Sequence, residues 1–203
     1  MRLMFEHGNK PVKVIRMNIP ELTAELERLH SSSFGWALSC CRRDREEAEE
    51  VLQTVYLKIL EGKARFGGES SFRTWLFAVI HKTAAGERRK HLRRKLSLIR
   101  ESQGETDRIA PAQRPDVVVE RSETQTRFLR ALEQLPARQQ QTLHLVFYQE
   151  LSLREAAIAM GISVGSARKH YERGKKRLRE SLGRSEAGYG VKWRGKENPS
   201  IVS

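Results

Sequence analysis

Apolar residues recur along this chain at steps of three and four, and alternating strand patterns are scarce, so nearly every readable segment is predicted helical. "PELTAELERLH" sets Leu22, Leu26 and Leu29 on one face, with Pro20 suited to a first helical turn, and the helix is predicted to continue through Trp36, Ala37, Cys40 and Cys41. "REEAEEVLQTVYLKILEG" is the clearest amphipathic segment, with Ala48, Val51, Leu52, Val55, Ile59 and Leu60 on its stripe and Gly62 as terminator. After "KARFGGESS", a third helix buries Phe72, Trp75, Leu76, Val79, Ile80 and Thr83 and runs out into "GERRKHLRRK". Periodicity then lapses in a polar stretch holding Pro111 and Pro115, which reads as a linker. It resumes with Phe128, Leu129, Leu132 and Leu135, then Pro136 opens a helix carrying Leu143, Val146 and Phe147. Past Gly183 the tail is glycine-rich and expected to be poorly ordered. The pattern predicts an all-α protein of two small helical units on a flexible linker.

Near the C-terminus, "LSLREAAIAMGISVGSARKHY" has the local signals of a helix-turn-helix. Ser152 and Glu155 form an S-x-x-E capping box, and Ala156 and Ala157 are small enough for a close helix crossing. Gly161 suits a left-handed turn, Ile162 plugs the junction, and Ser163 caps the second helix. In such motifs the second helix enters the major groove. Ser166, Arg168, Lys169, His170, Glu172 and Arg173 are the candidate base readers, since Arg and Lys match guanine and Glu accepts from cytosine. Lys175, Lys176, Arg177 and Arg179 lie further along and suit phosphates. An isolated basic helix is as readily a solvated face; here the capping and turn signals agree on DNA binding.

Charge strengthens that reading. The 203 residues carry a formal charge of +13 and a pI near 10.2, which favours a polyanionic partner, nucleic acid before acidic membrane. No run approaches the roughly 18 apolar residues of a membrane span, and the N-terminus lacks the pattern of a signal peptide. Cys40 and Cys41 are adjacent and cannot staple distant segments, and the His residues do not fall at zinc-ligand spacing. A soluble, reduced, cytoplasmic protein is expected, with no metal and no cofactor. No nucleophile elbow, HExxH or phosphate-binding glycine loop occurs, so an enzyme is not expected. The acidic cluster Asp44, Glu46, Glu47, Glu49 and Glu50 spreads over several faces of one helix and reads as a solvated or partner-facing surface.

The order "AEEVLQTVYLKIL", "SSFRTWLFAVI" with a basic run, a linker, and "ALEQLPARQQQTLHLVFYQELSLREAAIAMGISVGSARKHYERGKKRLRESL" resembles an extracytoplasmic-function sigma factor of bacterial RNA polymerase, over residues about 25 to 182. The resemblance implies an N-terminal extension over 1–19, region 2 over 20–95, a linker over 96–120, region 4 over 121–183 and a tail over 184–203. Region 4 then reads the upstream (−35) promoter element with the 168–173 stretch. Region 2 binds the polymerase clamp through Glu50 and Gln53, with Glu49 and Thr54 beside them, and opens the downstream (−10) element. The flap of the polymerase and an anti-sigma factor are further implied partners.

For strand opening the family uses the loop before the tryptophan-bearing helix, here Arg65, Phe66, Gly67, Gly68, Glu69, Ser70 and Ser71, while Trp75 itself reads as core. Lys82, Arg88 and Arg89 are the implied contacts to the neighbouring duplex. Lys82 stands where the family commonly has asparagine, and Gly86 where aspartate often follows, which puts base preference there in doubt. From the residues alone, two other readings stay open: an operator-binding dimer that never touches polymerase, and a basic RNA-binding protein.

Overall fold

The computed structural model describes residues 18–101, 128 and 130–183. Most of the linker, the extension before Asn18, the tail beyond Gly183 and Leu129 lie outside the described residues. Among the described residues there is no strand. The helices run α1 (Ile19–Arg28), α2 (His30–Cys40), α3 (Arg45–Leu60), α4 (Phe72–Glu101), α5 (Ala137–Leu143), α6 (Leu153–Met160) and α7 (Val164–Gly183). A π-helical turn, His144–Tyr148, extends α5.

Local chemistry explains the boundaries. Asn18 and Glu21 close a capping box at α1: the Glu21 amide donates to Asn18 Oδ1 at 2.9 Å, and the Asn18 amide to Glu21 Oε2 at 3.1 Å. The first helix does not continue to Cys41 as predicted. It breaks at Leu29, whose amide caps α1, and α2 starts at once with no side-chain cap of its own. The turn into α3 places two non-glycine residues, Arg42 and Arg43, at φ 54° and 67°, and Asp44 then caps α3 by accepting from the Glu47 amide at 3.0 Å. α3 ends at Leu60, before Gly62 at φ 71°. α4 continues past the boundary drawn at residue 95, since Arg, Lys and Leu are all good helix formers, and reaches about 45 Å.

Trp36, Ala37, Cys40, Val51, Val55, Leu76, Phe77 and Ile80 fill the core of the first helical group. The Trp36 indole N–H donates to the Phe77 carbonyl at 2.9 Å, so the largest buried ring keeps no unpaired polar atom. Two residues expected on apolar stripes turn outward. Leu60 is 43% exposed at the end of α3, and Phe147 is 49% exposed because the π turn rotates it off the α5 face.

The two helical groups share one core, which the linker reading did not anticipate. Leu145, Leu151, Ala156, Ala159 and Met160 join the cluster built on Trp36, Val51 and Leu76, and α6 lies along α4. At this seam Trp36 stacks with two histidines, His81 at 6.0 Å and His144 at 5.8 Å, and Tyr148 stacks on His144 at 5.5 Å. Beside the ring column, Arg73 Nη2 donates to the Gln149 carbonyl and, at 3.2 Å, to Gln149 Oε1. Gln149 Nε2 donates to the Ser32 carbonyl at 3.4 Å and lies 3.3 Å from His144 Nε2. A smaller cluster of Ala131, Leu132, Leu135, Leu143 and Leu178 holds α7 against α5.

Candidate nucleic-acid interface

The helix-turn-helix forms as its local signals dictate. Ser152 Oγ accepts from the Glu155 amide at 3.3 Å while the Glu155 carboxylate accepts from the Ser152 amide at 2.9 Å. α6 ends at Gly161 with φ 61° and ψ 40°, the left-handed cap. Ser163 Oγ then accepts from the Ser166 amide at 3.1 Å and opens α7. Ala156, Ala157 and Ala167 are fully buried where α6 and α7 cross, and Ile162 packs partly buried against the core.

That crossing fixes which residues α7 presents. Arg168, Lys169, Glu172 and Arg173 are exposed, while Ser166 and His170 are half-buried beside them. The Ser166 hydroxyl already receives one from Ser163, at 2.9 Å. Burial, with Arg138 and Arg173 nearby, pushes the His170 pKa down, which favours the neutral ring. Lys176 is exposed and lies 3.9 Å from Glu180, one turn on. Lys175 is drawn aside, its Nζ 4.9 Å over the Tyr171 ring, which stacks on Phe147 at 5.9 Å. Gly174 faces α5 closely: an added Cβ would sit 3.1 Å from Leu143 Cδ1 and 3.3 Å from Gln139 Cβ.

The second predicted group is only partly brought together. Phe66, Phe72 and Trp75 form an aromatic trio with centroids 5.3 to 5.6 Å apart, each ring half-buried. Trp75 therefore packs as expected but keeps part of its surface open. Arg65 Nε donates to the Gly62 carbonyl at 3.2 Å, and Gly68 turns the loop at φ 75° with Glu69 exposed beside it. Ser71 Oγ lies 2.8 Å from Thr74 Oγ1 and accepts from the Thr74 amide at 3.1 Å, so it holds the start of α4. Ser70 Oγ donates to the Ser71 carbonyl. Lys82 and Arg89, two turns apart, share one exposed side of α4. Arg88 turns inward and donates from Nη2 to the Cys40 carbonyl at 2.9 Å, because its helical position faces α2.

The third group lies on α3. Glu49, Glu50 and Gln53 are exposed and Thr54 is half-buried, on the side away from Val51, Leu52 and Val55. Glu49 is paired with Arg45 at 2.9 Å. Leu57, 58% exposed, and Leu60 continue the Glu50–Gln53 face at helical spacing. Sequence reasoning missed Leu57; its step from Gln53 was the available signal. Cys40 and Cys41 are buried, and burial pushes the Cys41 thiol up to about 12, which leaves it protonated and unreactive. Among the described residues no His, Cys, Asp or Glu cluster is disposed to hold a metal, and no helix is long and apolar enough to cross a membrane.

Comparison with known proteins agrees with this architecture. The family described as "Sigma-70 region 2" matches residues 26–94, and "Sigma-70, region 4" matches residues 125–178. The chain is 28% identical over 140 residues to the "RNA polymerase sigma factor YlaC" of Bacillus subtilis (strain 168), covering 69% of this chain and 80% of that one. It is 28% identical over 141 residues to the "ECF RNA polymerase sigma factor SigX" of the same organism, covering 69% and 73%. Its fold is similar to that of the sigma factor RpoE, solved in complex with the anti-sigma factor NepR from Bartonella quintana. That match has TM-score 0.60 and 23% identity, covering 81% of this chain and 98% of that one. It is also similar to CnrH, solved with the cytosolic domain of CnrY, at TM-score 0.53 and 16% identity, covering 83% and 91%. With region 2 built on α2 to α4 and region 4 on the helix-turn-helix, this chain belongs to the sigma-70 family, in its extracytoplasmic-function group, whose work is promoter-directed initiation of transcription.

Proposed function

We propose that the chain binds core RNA polymerase through the α3 face, reads a −35 element with α7 and opens a −10 element with the 65–71 loop and α4. The observation that carries this reading is the completed helix-turn-helix, whose exposed side bears Arg168, Lys169, Glu172 and Arg173. Ser166 and His170 adjoin that surface, and Lys176 lies one turn beyond it, suited to a phosphate.

Glu49, Glu50, Gln53 and Thr54 are assigned to the polymerase clamp, on a face that the protein's own core leaves free. Arg65, Phe66, Gly68, Glu69 and Ser70 are assigned to the unpaired strand, with Ser71 acting chiefly through the start of α4. The half-buried Phe66–Phe72–Trp75 trio offers ring surface on which a displaced base can stack, a contact worth about 1–3 kcal/mol. Lys82 and Arg89 are assigned to duplex phosphates, and Arg88 to positioning α4 against α2.

In this reading residues 20–95 and 121–183 are the two working units, in the cytoplasm where polymerase acts, and the protein works by binding and catalyses no reaction. Region 4 also meets the polymerase flap. The anti-sigma factor in the similar RpoE structure supports an inhibitory partner of that kind here. Run-off transcription with purified core polymerase tests the proposal: the chain plus core is expected to start at a two-element promoter where core alone does not. Binding to a symmetrical site without any association with core enzyme would point to an operator-binding regulator instead.

A further inference from the structure

Val164 is the first residue of α7, and its side chain is 43% exposed. Every other side chain that α7 exposes is charged. A lone exposed valine is ordinary on a protein surface, so its place is what matters. It stands at the end of the helix whose N-terminal residues meet base edges in motifs of this kind.

Folding does not ask for an apolar group there. Val164 lies outside both core clusters, whereas Ile162, two residues before it, packs against the larger one. A β-branched residue is also a poorer helix former than most. The polar side chains of this turn are engaged with each other. Ser163 Oγ accepts from the Ser166 amide at 3.1 Å and donates to Ser166 Oγ at 2.9 Å, so its one proton is committed inside the turn. Gly165 has no side chain, and an added Cβ there would meet nothing within 4 Å. What the first turn of α7 presents outward is therefore largely an isopropyl group, one helical turn before the exposed Arg168.

The major groove offers one apolar group to such a side chain, the C5-methyl of thymine. We infer that Val164 is a specificity-determining residue that packs against a thymine methyl group in the upstream element. The inference rests on the proposed reading that α7 lies in the major groove of the −35 element. Four residues of helix advance about 6 Å, and successive base pairs are about 3.4 Å apart. The thymine therefore lies within about two pairs of the base that Arg168 contacts.

Deoxyuridine provides the test, because it lacks the methyl group and keeps every hydrogen-bonding atom of thymine. The upstream element is selected from randomised duplexes by the full chain bound to core polymerase, and each thymine on either strand is then replaced singly. For the wild type, one replacement, within about two pairs of the position relaxed by Arg168→Ala, is expected to weaken binding about three- to five-fold, the share of one buried methyl group. Val164→Ser should bind the thymine and deoxyuridine duplexes alike, about as weakly as the wild type binds the deoxyuridine duplex. Val164→Ile should restore the difference. A wild type indifferent to deoxyuridine at every position overturns the inference, and so does a Val164→Ser variant that still discriminates. A chain that selects no duplex sequence sinks the proposed −35 reading itself, and the inference with it.

Discussion

His144 stacks on Trp36 with ring centroids 5.8 Å apart and 26° between the planes, although the two residues belong to different helical groups. Burial, with Arg43 adding a smaller repulsion, pushes the His144 pKa from about 6.5 down to about 4. The folded form therefore resists a proton that the unfolded chain accepts. Its contribution is complete above pH 6.5 and is lost as pH falls toward 4, amounting to about 2 kcal/mol between pH 7 and pH 5. His81, pushed down by burial and by Arg138 and Arg88 and hydrogen-bonded to Gln141, acts in the same direction. Glu47, whose pKa burial raises from about 4.5, opposes them at lower pH, since its protonation favours the fold. Urea unfolding at pH 7 and pH 5 should show the loss. His144→Phe, which keeps a stacking ring without the titration, should reduce it; an unchanged pH dependence would remove His144 from this role.

Arg168→Ala should weaken binding to the upstream element by about 1–3 kcal/mol if Arg168 reads a base, and relax preference at that one position. Lys176→Ala should weaken binding to all duplexes alike and flatten the plot of log K against log salt by about 0.9, the share of one phosphate. Titrations of specific and scrambled duplex across salt concentrations separate the two effects. Equal loss on both duplexes for Arg168→Ala would contradict its assignment to a base.

Glu50→Lys combined with Gln53→Ala should impair association with core polymerase while duplex binding through α7 persists. Both side chains are exposed on α3, so the melting temperature should move little. Co-sedimentation with core enzyme and a duplex titration of the same preparation measure the two properties. Loss of both would indicate unfolding.

Ser152→Ala removes the hydroxyl that accepts from the Glu155 amide and should cost about 1 kcal/mol. Gly161→Ala puts a side chain at φ 61° and should cost a similar amount, on the order of 1–2 kcal/mol. Denaturant midpoints check both. Neither change touches the exposed cations of α7, so at temperatures where the protein stays folded, DNA affinity should be retained.

The helix-turn-helix was legible because its determinants are local: Ser152 with Glu155, Gly161, and Ser163 with Ser166 act within a few positions of one another. The α3 face was legible for the same reason, since a sixteen-residue amphipathic helix states its inside and outside. Its last turn was not, because Leu60 continues the apolar spacing after the core has ended. The break between α1 and α2 went unread because an uncapped restart at His30 leaves no side-chain signature. Arg88 looked like its basic neighbours, and only the packing of α4 against α2 turns it to the Cys40 carbonyl. The shared core was beyond reach for a deeper reason: Trp36, His81 and His144 are ordinary rings in sequence until three distant segments meet.

The Gly174 notch on α7 carries a consequence for how closely that helix can sit on α5. Leu143 and Gln139 approach to 3.1 and 3.3 Å of where any other residue would place its first carbon. The close seating of α7 on α5 therefore depends on a hydrogen atom, at a position that carries no charge and no donor. A methyl group there asks Leu143 and Gln139 to yield by a few tenths of an ångström, so tolerance at this position is set by how far those two side chains can give, not by anything the residue offers to a partner.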